Sequence, residues 1–152
     1  MAKEIVEQVS SGGFIFFKDK DTSEIYVLLT RNLKGEYYLP KGKLEPGESQ
    51  VEAAFREIKE EVGFDSTQIR YIDLCDTINY GYELDDNRTL SKDLCINVFE
   101  ADKKHDPAPT DWNDLQSVDW HLYQDAVTTI SFSKDQLEKA YGIFMASDTV
   151  HG

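Results

Sequence analysis

Strand-like runs, a helix, more strands and terminal helices follow one another along 152 residues, a pattern that predicts an α+β domain with a sheet covered by helices on its faces. Three observations carry this expectation: five short runs rich in aromatic and β-branched residues, two longer segments with helical periodicity, and a length of about one domain. Apolar residues make up 40% of the chain and are spread along all of it, which argues against a largely disordered protein. No repeat, low-complexity tract or Gly/Ser linker interrupts the pattern, so residues 1–152 are expected to form a single domain.

The strands are expected at 13–18 (GFIFFK), 25–31 (IYVLLTR), 69–78 (IRYIDLCDTI), 93–101 (DLCINVFEA) and 117–122 (SVDWHL). The turn from Lys18 to Ser23 suggests that the first two form a hairpin. Pro40, Gly42, Pro46 and Gly47 fall within eight residues, which predicts a tight loop from 40 to 47 entering a helix near Ser49. From Ser49 to Val62, the residues Val51, Ala54, Phe55, Ile58 and Val62 recur at helical spacing and make one apolar face. Glu48 and Glu52 near its start suit the positive end of the helix dipole. A short helix is expected at 123–129 and a longer one from Lys134 to about Ala146, with Ser133 as candidate N-cap. Residues 102–114 (DKKHDPAPTDWND) and the charged stretch 85–92 (DDNRTLSK) read as loops.

Composition narrows the partners. A net charge of −13 disfavours nucleic-acid binding, which needs clustered Lys and Arg, although a divalent cation could still recruit phosphate. No apolar run is long enough for a membrane helix, and the start lacks a basic region feeding an apolar stretch; a cytoplasmic location, with a nuclear one as alternative, is expected. Cys75 and Cys95 sit in apolar stretches without CxxC or His spacing and read as buried structural thiols. Asn87-Arg88-Thr89 matches a glycosylation sequon but has no secretion signal to make it meaningful.

The chemistry concentrates between Tyr38 and Phe64, YLPKGKLEPGESQVEAAFREIKEEVGF. At about 100° per residue, Glu61 and Glu57 border the apolar stripe of the helix, and Glu60 lies further round. Like charges at this spacing repel, so the cluster needs compensation. A hard divalent cation such as magnesium or manganese provides it; a solvated acidic face with Lys59 and Arg56 as local partners is the other reading of the same residues.

The spacing adds a further consideration. Gly42, five residues, Glu48, seven residues, then Arg56-Glu57-Ile58-Lys59-Glu60-Glu61-Val62-Gly63-Phe64 follows the pattern G-x5-E-x7-R-E-U-x-E-E-x-G-U, with U apolar, at every specified position. Phe64 is the mildest departure, because an aliphatic residue is commoner there. On this segment the chain resembles the Nudix hydrolases.

The resemblance implies an α/β/α sandwich with a mixed sheet and a metal-dependent hydrolysis of nucleoside diphosphate-linked compounds, by water attack on phosphorus. It implies magnesium, or alternatively manganese, held by Glu57 and Glu61, with Glu60 a third ligand or the base and the Gly42 carbonyl joining them. Arg56 would orient the carboxylates through an ion pair with Glu48. Glu100, at the end of the 93–101 strand, is a second candidate base. Lys41 and Lys43 flank Gly42 and could touch phosphate oxygens or remain solvated; Arg31, Arg88 and Lys92 are further cationic candidates.

Within the family, the form LPKGKLEPGE and Tyr80, placed 16 residues after the box, resemble the hydrolases that split diadenosine tetraphosphate asymmetrically into ATP and AMP. Lys43 departs from the histidine frequent after PKG in animal members. Tyr80 and Tyr82 are the candidates for stacking on adenine. The alternatives on the same scaffold are a diphosphoinositol polyphosphate, nucleotide or mRNA cap pyrophosphohydrolase, or a non-catalytic nucleotide-binding module. A small nucleotide polyphosphate is the expected partner; no protein partner or membrane contact is expected.

Overall fold

The computed structural model describes residues 3–151, with side chains through residue 147. The elements are β1 (Glu4–Lys18), β2 (Ile25–Asn32), β3 (Tyr37–Tyr38), β4 (Lys41–Lys43), α1 (Gln50–Val62), β5 (Ile69–Asp85), β6 (Arg88–Ala101), β7 (Leu115–Leu122), α2 (Tyr123–Thr129) and α3 (Lys134–His151). They build one curled mixed sheet in the order β3-β2-β1-β6-β5, with β4 on β1 and β7 on β2. β1 and β6 run parallel, and the other pairs are antiparallel.

Alternation along the central strands separates two cores. Phe14, Phe16, Leu29, Leu39, Leu94, Ile96 and Val98 face α2 and α3, packing on Ala126, Leu137 and Phe144. Ile15, Leu28, Phe99 and Val118 face α1, packing on Ala54, Ile58 and Val62. This is the α+β architecture with helices on both faces that the sequence predicts.

β1 and β2 do form the expected hairpin. Its turn is closed by the Asp19 amide donating to Glu24 O (2.9 Å) and by the Asp19 carboxylate accepting from the amides of Asp21 and Thr22. The strands share only the register Phe16–Val27, Phe17–Tyr26 and Lys18–Ile25 before they diverge. Beyond that point β1 pairs with β4 through Ser10–Lys43, Ser11–Gly42 and Gly12–Lys41, while β2 pairs with β3. The segment 37–43 is thereby wedged between the two diverging strands. The loop expected at 40–47 is therefore half strand: Lys41–Lys43 is held as β4 because the divergence leaves the backbone groups of Ser10–Gly12 needing a partner.

Two other boundaries differ from expectation, and the loop 102–114 is as expected. β1 begins at Glu4, not at residue 13; its first half alternates between exposed and half-buried residues and leaves Ile5 65% exposed, so it shows no apolar run to read. Residues 85–92 are not a loop, because β5 and β6 extend as a long hairpin across Asp86-Asn87. The loop 102–114 is anchored on the end of α1: the amide of Ala108 donates to Val62 O, and those of Thr110 and Asp111 donate to Glu60 O. Both cysteines are buried and free, and burial pushes the Cys75 thiol up to about 11.

Candidate active site

α1 is fixed at both ends. Ser49 Oγ accepts from the Glu52 amide and the Glu52 carboxylate accepts from the Ser49 amide, a reciprocal cap. At the other end Gly63 takes the left-handed conformation (φ 86°), and its N–H donates to Ile58 O and Lys59 O. With α1 packed on the sheet by Ala54, Ile58 and Val62, its acidic edge lies against β4.

Glu57 and Glu61 meet the Lys41–Gly42 backbone there. The Lys41 amide donates to Glu61 Oε2 (3.2 Å). Glu57 lies so close to Gly42 that a Cβ on that residue would stand 2.2 Å from the Glu57 carboxyl carbon, so the contact requires glycine. Burial raises the carboxyl pKa of Glu57. Burial first, and the neighbouring Glu57 second, push Glu61 up to about 8.

Arg56 organises the surrounding charges. Its Nε donates to Glu48 Oε2 (2.8 Å) and its Nη2 to Glu48 Oε1 (2.9 Å), the expected pair in bidentate form. The same guanidinium reaches Lys43 O (2.7 Å), Glu57 (2.8 Å) and Glu60 (3.4 Å), so the 41–48 loop and the helix are tied through one side chain. Its hydrogen bonds hold Glu48 down at about 2.

Glu60 belongs to this Arg56 group. Among the described residues, no three His, Cys, Asp or Glu side chains converge closely enough to hold a metal ion. The structure sets Glu57 and Glu61 beside the Lys41–Gly42 backbone, with Arg56 bonding Glu57 (2.8 Å) and, at longer range, Glu60 (3.4 Å). Two half-buried carboxylates at a glycine backbone, with burial raising both of their pKa values, fit a hard divalent ion with further positions for water or phosphate oxygens.

Glu100 does not join them. It pairs with Arg70 (2.9 Å) on the face toward α3, where Arg70 also reaches Ser147 Oγ, and so lies across the sheet from α1. Strand alternation accounts for the placement: Phe99 and Ala101 face α1, and the residue between them faces away.

A cavity of about 580 Å³ opens on the α3 face, lined by Asn32, Tyr38, Leu39, Lys41, Ile78, Tyr80, Leu94, Phe132, Ser133 and Gln136. Lys41 connects the two regions, with its amide on Glu61 and its side chain in the cavity. Lys92 stands 5.8 Å over the Tyr80 ring, and the charges of Lys43 on Lys92 and of Lys92 on Lys41 help lower the latter two ammonium pKa values, after burial. Lys41 lines the cavity and Lys92 stands over Tyr80 on its wall, with Lys43 near enough to Lys92 for their charges to act on each other, in an acidic protein.

Tyr82 lies outside the cavity lining, 55% exposed further along β5. Arg31 stacks over Tyr37 (5.2 Å) instead of entering the cavity, and Arg88 pairs with Asp85 at the hairpin tip (2.9 Å). Phe132, Ser133 and Gln136 are cavity residues that sequence reading did not select. The amide of Ser131 donates to Tyr37 O (2.8 Å) and Ser131 Oγ accepts from the Tyr37 amide (2.9 Å), which holds the loop bearing Phe132 to β3. Only the nearness of Ser133 to a predicted helix start pointed toward it.

The fold and the acidic helix against its Pro-Gly loop define a class, and the comparisons agree on it: the NUDIX domain matches residues 8–142, and the chain belongs to that family. Among solved structures it is similar to an Ap4A hydrolase of C. elegans in a binary complex, at TM-score 0.65 and 22% identity over 92% of this chain and 98% of that one. It is also similar to the NUDIX domain of Shewanella oneidensis NrtR complexed with ADP ribose, at TM-score 0.65 and 15% identity over 90% and 88% of the two chains. The human 8-oxo-dGDP phosphatase NUDT18 is 43% identical over 49 residues, 32% of this chain, and the match spans 15% of that protein's length. Family membership supports hydrolysis of nucleotide-linked compounds, in a family that generally uses divalent metals such as magnesium. Among the described residues no helix is long and apolar enough to cross a membrane.

Proposed function

We propose that residues 1–152 act as one domain that hydrolyses diadenosine tetraphosphate asymmetrically to ATP and AMP. The observation that carries the reading is the juxtaposition at Lys41: a half-buried carboxylate pair at its backbone, and beside it a cavity with aromatic walls whose Tyr80 ring lies under Lys92. Tyr38, Tyr80 and Phe132 offer ring faces to one adenine, since aromatic stacking grips a base with few hydrogen bonds. Lys41, Lys43 and Lys92 hold the polyphosphate, which an overall charge of −13 would otherwise repel.

Glu57, Glu61 and the Gly42 carbonyl would hold the metal ion. When bound, the ion supplies neutralisation of phosphate charge and Lewis acidity toward the phosphoryl group. Arg56 fixes Glu57 by its 2.8 Å hydrogen bond and keeps the carboxylate set oriented. Glu60 takes the proton of the attacking water, as the candidate base on the α1 side of the sheet; Glu100 is not retained in that role.

Incubation with magnesium and a panel of diadenosine tetraphosphate, ADP-ribose, 8-oxo-dGDP, capped RNA and a diphosphoinositol phosphate, with products separated by chromatography, tests the reading. ATP plus AMP from the first compound is the expected result. Cleavage of another compound in its place would overturn the substrate assignment and keep the carboxylate site; no cleavage of any would favour a nucleotide-binding module.

A further inference from the structure

Behind the carboxylate pair, β6 places an asparagine between apolar neighbours. Asn97 is fully buried, as are Ile96 and Val98 on either side of it. Its two Nδ2 hydrogens serve Gly12 O (2.9 Å) and Gln50 Oε1 (2.7 Å), with Ser11 Oγ (3.1 Å) sharing one of them. Its Oδ1 accepts from Gln50 Nε2 (3.0 Å) and from the Tyr71 hydroxyl (3.1 Å), and Ser11 Oγ donates in turn to Gln50 Oε1 (2.9 Å). Desolvating an amide in an apolar core is costly unless each polar atom is paired, and here both ends are.

The partners are the residues that join the two halves of the candidate site. Ser11 and Gly12 are the ladder partners of Gly42 and Lys41 on β4, the backbone against which Glu57 and Glu61 lie. Gln50 is the first residue of α1, the helix that carries both glutamates. The β1–β4 contact has no slack to absorb a shift: a Cβ at Gly12 would stand 2.0 Å from Pro40 O, to which the Gly13 amide also donates (3.2 Å). A change in the packing of β1 on β6 therefore reaches the Lys41–Gly42 backbone, while a change at Gln50 reaches α1.

We propose that Asn97 is a positioning residue for the metal site, which sets α1 against β4 and so fixes where the Glu57 and Glu61 carboxylates stand relative to the Gly42 backbone. This rests on the metal-hydrolase reading above. Residues hydrogen-bonded behind a ligand set commonly alter metal affinity by about 10–100-fold when replaced.

The test compares Asn97→Val with Gln50→Leu, which removes only the helix arm of the network, and with Phe144→Leu, a core change on the opposite sheet face. Manganese binding is measured by electron paramagnetic resonance, amide exchange is followed at Lys41 and Gly42, and kcat and KM are determined separately. Asn97→Val is expected to weaken manganese binding about tenfold or more and to speed exchange at Lys41 and Gly42. It should lower kcat while KM stays within about twofold, the signature of lost alignment. Gln50→Leu should act in the same direction and carries the test if Asn97→Val does not fold; Phe144→Leu should change stability alone. Unchanged manganese affinity in the folded Asn97 or Gln50 variant overturns the proposal, as does an equal loss in Phe144→Leu. Absence of manganese binding and of hydrolysis in the wild type would instead overturn the site reading itself, and this proposal with it.

Discussion

Glu61 keeps its proton up to about pH 8 when no cation is bound, because it is buried beside Glu57. In an unfolded chain the same carboxyl titrates near 4.5, so between these values the native state holds a proton that the unfolded state has lost. Its contribution to stability is complete below about pH 4.5 and is lost as pH rises toward 8. Metal-free protein should melt at lower temperature as pH is raised through this window. Magnesium should reverse the trend most strongly at the alkaline end and release protons on binding, which calorimetry in two buffers would detect. Glu61→Gln should raise the melting temperature of the metal-free protein at pH 8 and reduce turnover by several orders of magnitude. Gly42→Ala should weaken divalent binding, since its new methyl would displace the Glu57 carboxyl; circular dichroism and a manganese titration would separate that from unfolding. The box carboxylates and Arg56 were legible as residues because their spacing is so specific. The Arg56–Glu60 contact is an i,i+4 pair within α1, a local spacing that the reading of Arg56 as a partner of the acidic face already contained. The pairing of Glu100 with Arg70 was not legible, because a partner on a neighbouring strand leaves no trace in local sequence.

At the scale of the elements, α1 was readable almost to the residue. Its cap, apolar stripe and terminal glycine are all local signals, and the structure starts it at Gln50 behind the Ser49 cap. Ser49→Ala should lower unfolding free energy by about 1 kcal/mol in a denaturant titration, the usual worth of such a cap. The strands were readable where a run of aromatic, aliphatic and β-branched residues marks them and unreadable elsewhere. β3 and β4 are only two and three residues long and are separated by Leu39-Pro40, too short for an apolar pattern to show, so the divergence of β1 from β2 makes them strands. The first half of β1 and the outer part of β5 are largely polar and exposed; parallel pairing of β1 with β6 from Glu4 onward and antiparallel pairing of β5 with β6 to Asp85, rather than apolar pattern, give them their form.

Across the whole molecule, charge is divided unevenly. The lysine group in and beside the cavity is local, and the remaining surface is strongly acidic, so binding of a polyphosphate should weaken as salt screens the three lysines. KM for diadenosine tetraphosphate is expected to rise with ionic strength while kcat changes little. Tyr80→Ala and Phe132→Ala should each raise KM about tenfold with a smaller effect on kcat, as for loss of uniform binding; unchanged kinetics would remove the residue from the base site. Tyr80 was visible in sequence through its distance from the box. Phe132 was not, since it enters the cavity from the loop before α3 and only the tertiary fold brings that loop beside β3.

The sheet itself separates two tasks. The carboxylate helix packs on one face, and the cavity formed with the start of α3 lies on the other, with Lys41 reaching both. On the proposed function, replacements at Phe132, Ser133 or Gln136 should retune which base is admitted while the carboxylate site stays as it is, a fixed blade behind an exchangeable grip. One barrier of hydrogen-bonded backbone insulates diversification of ligand choice from loss of reactivity.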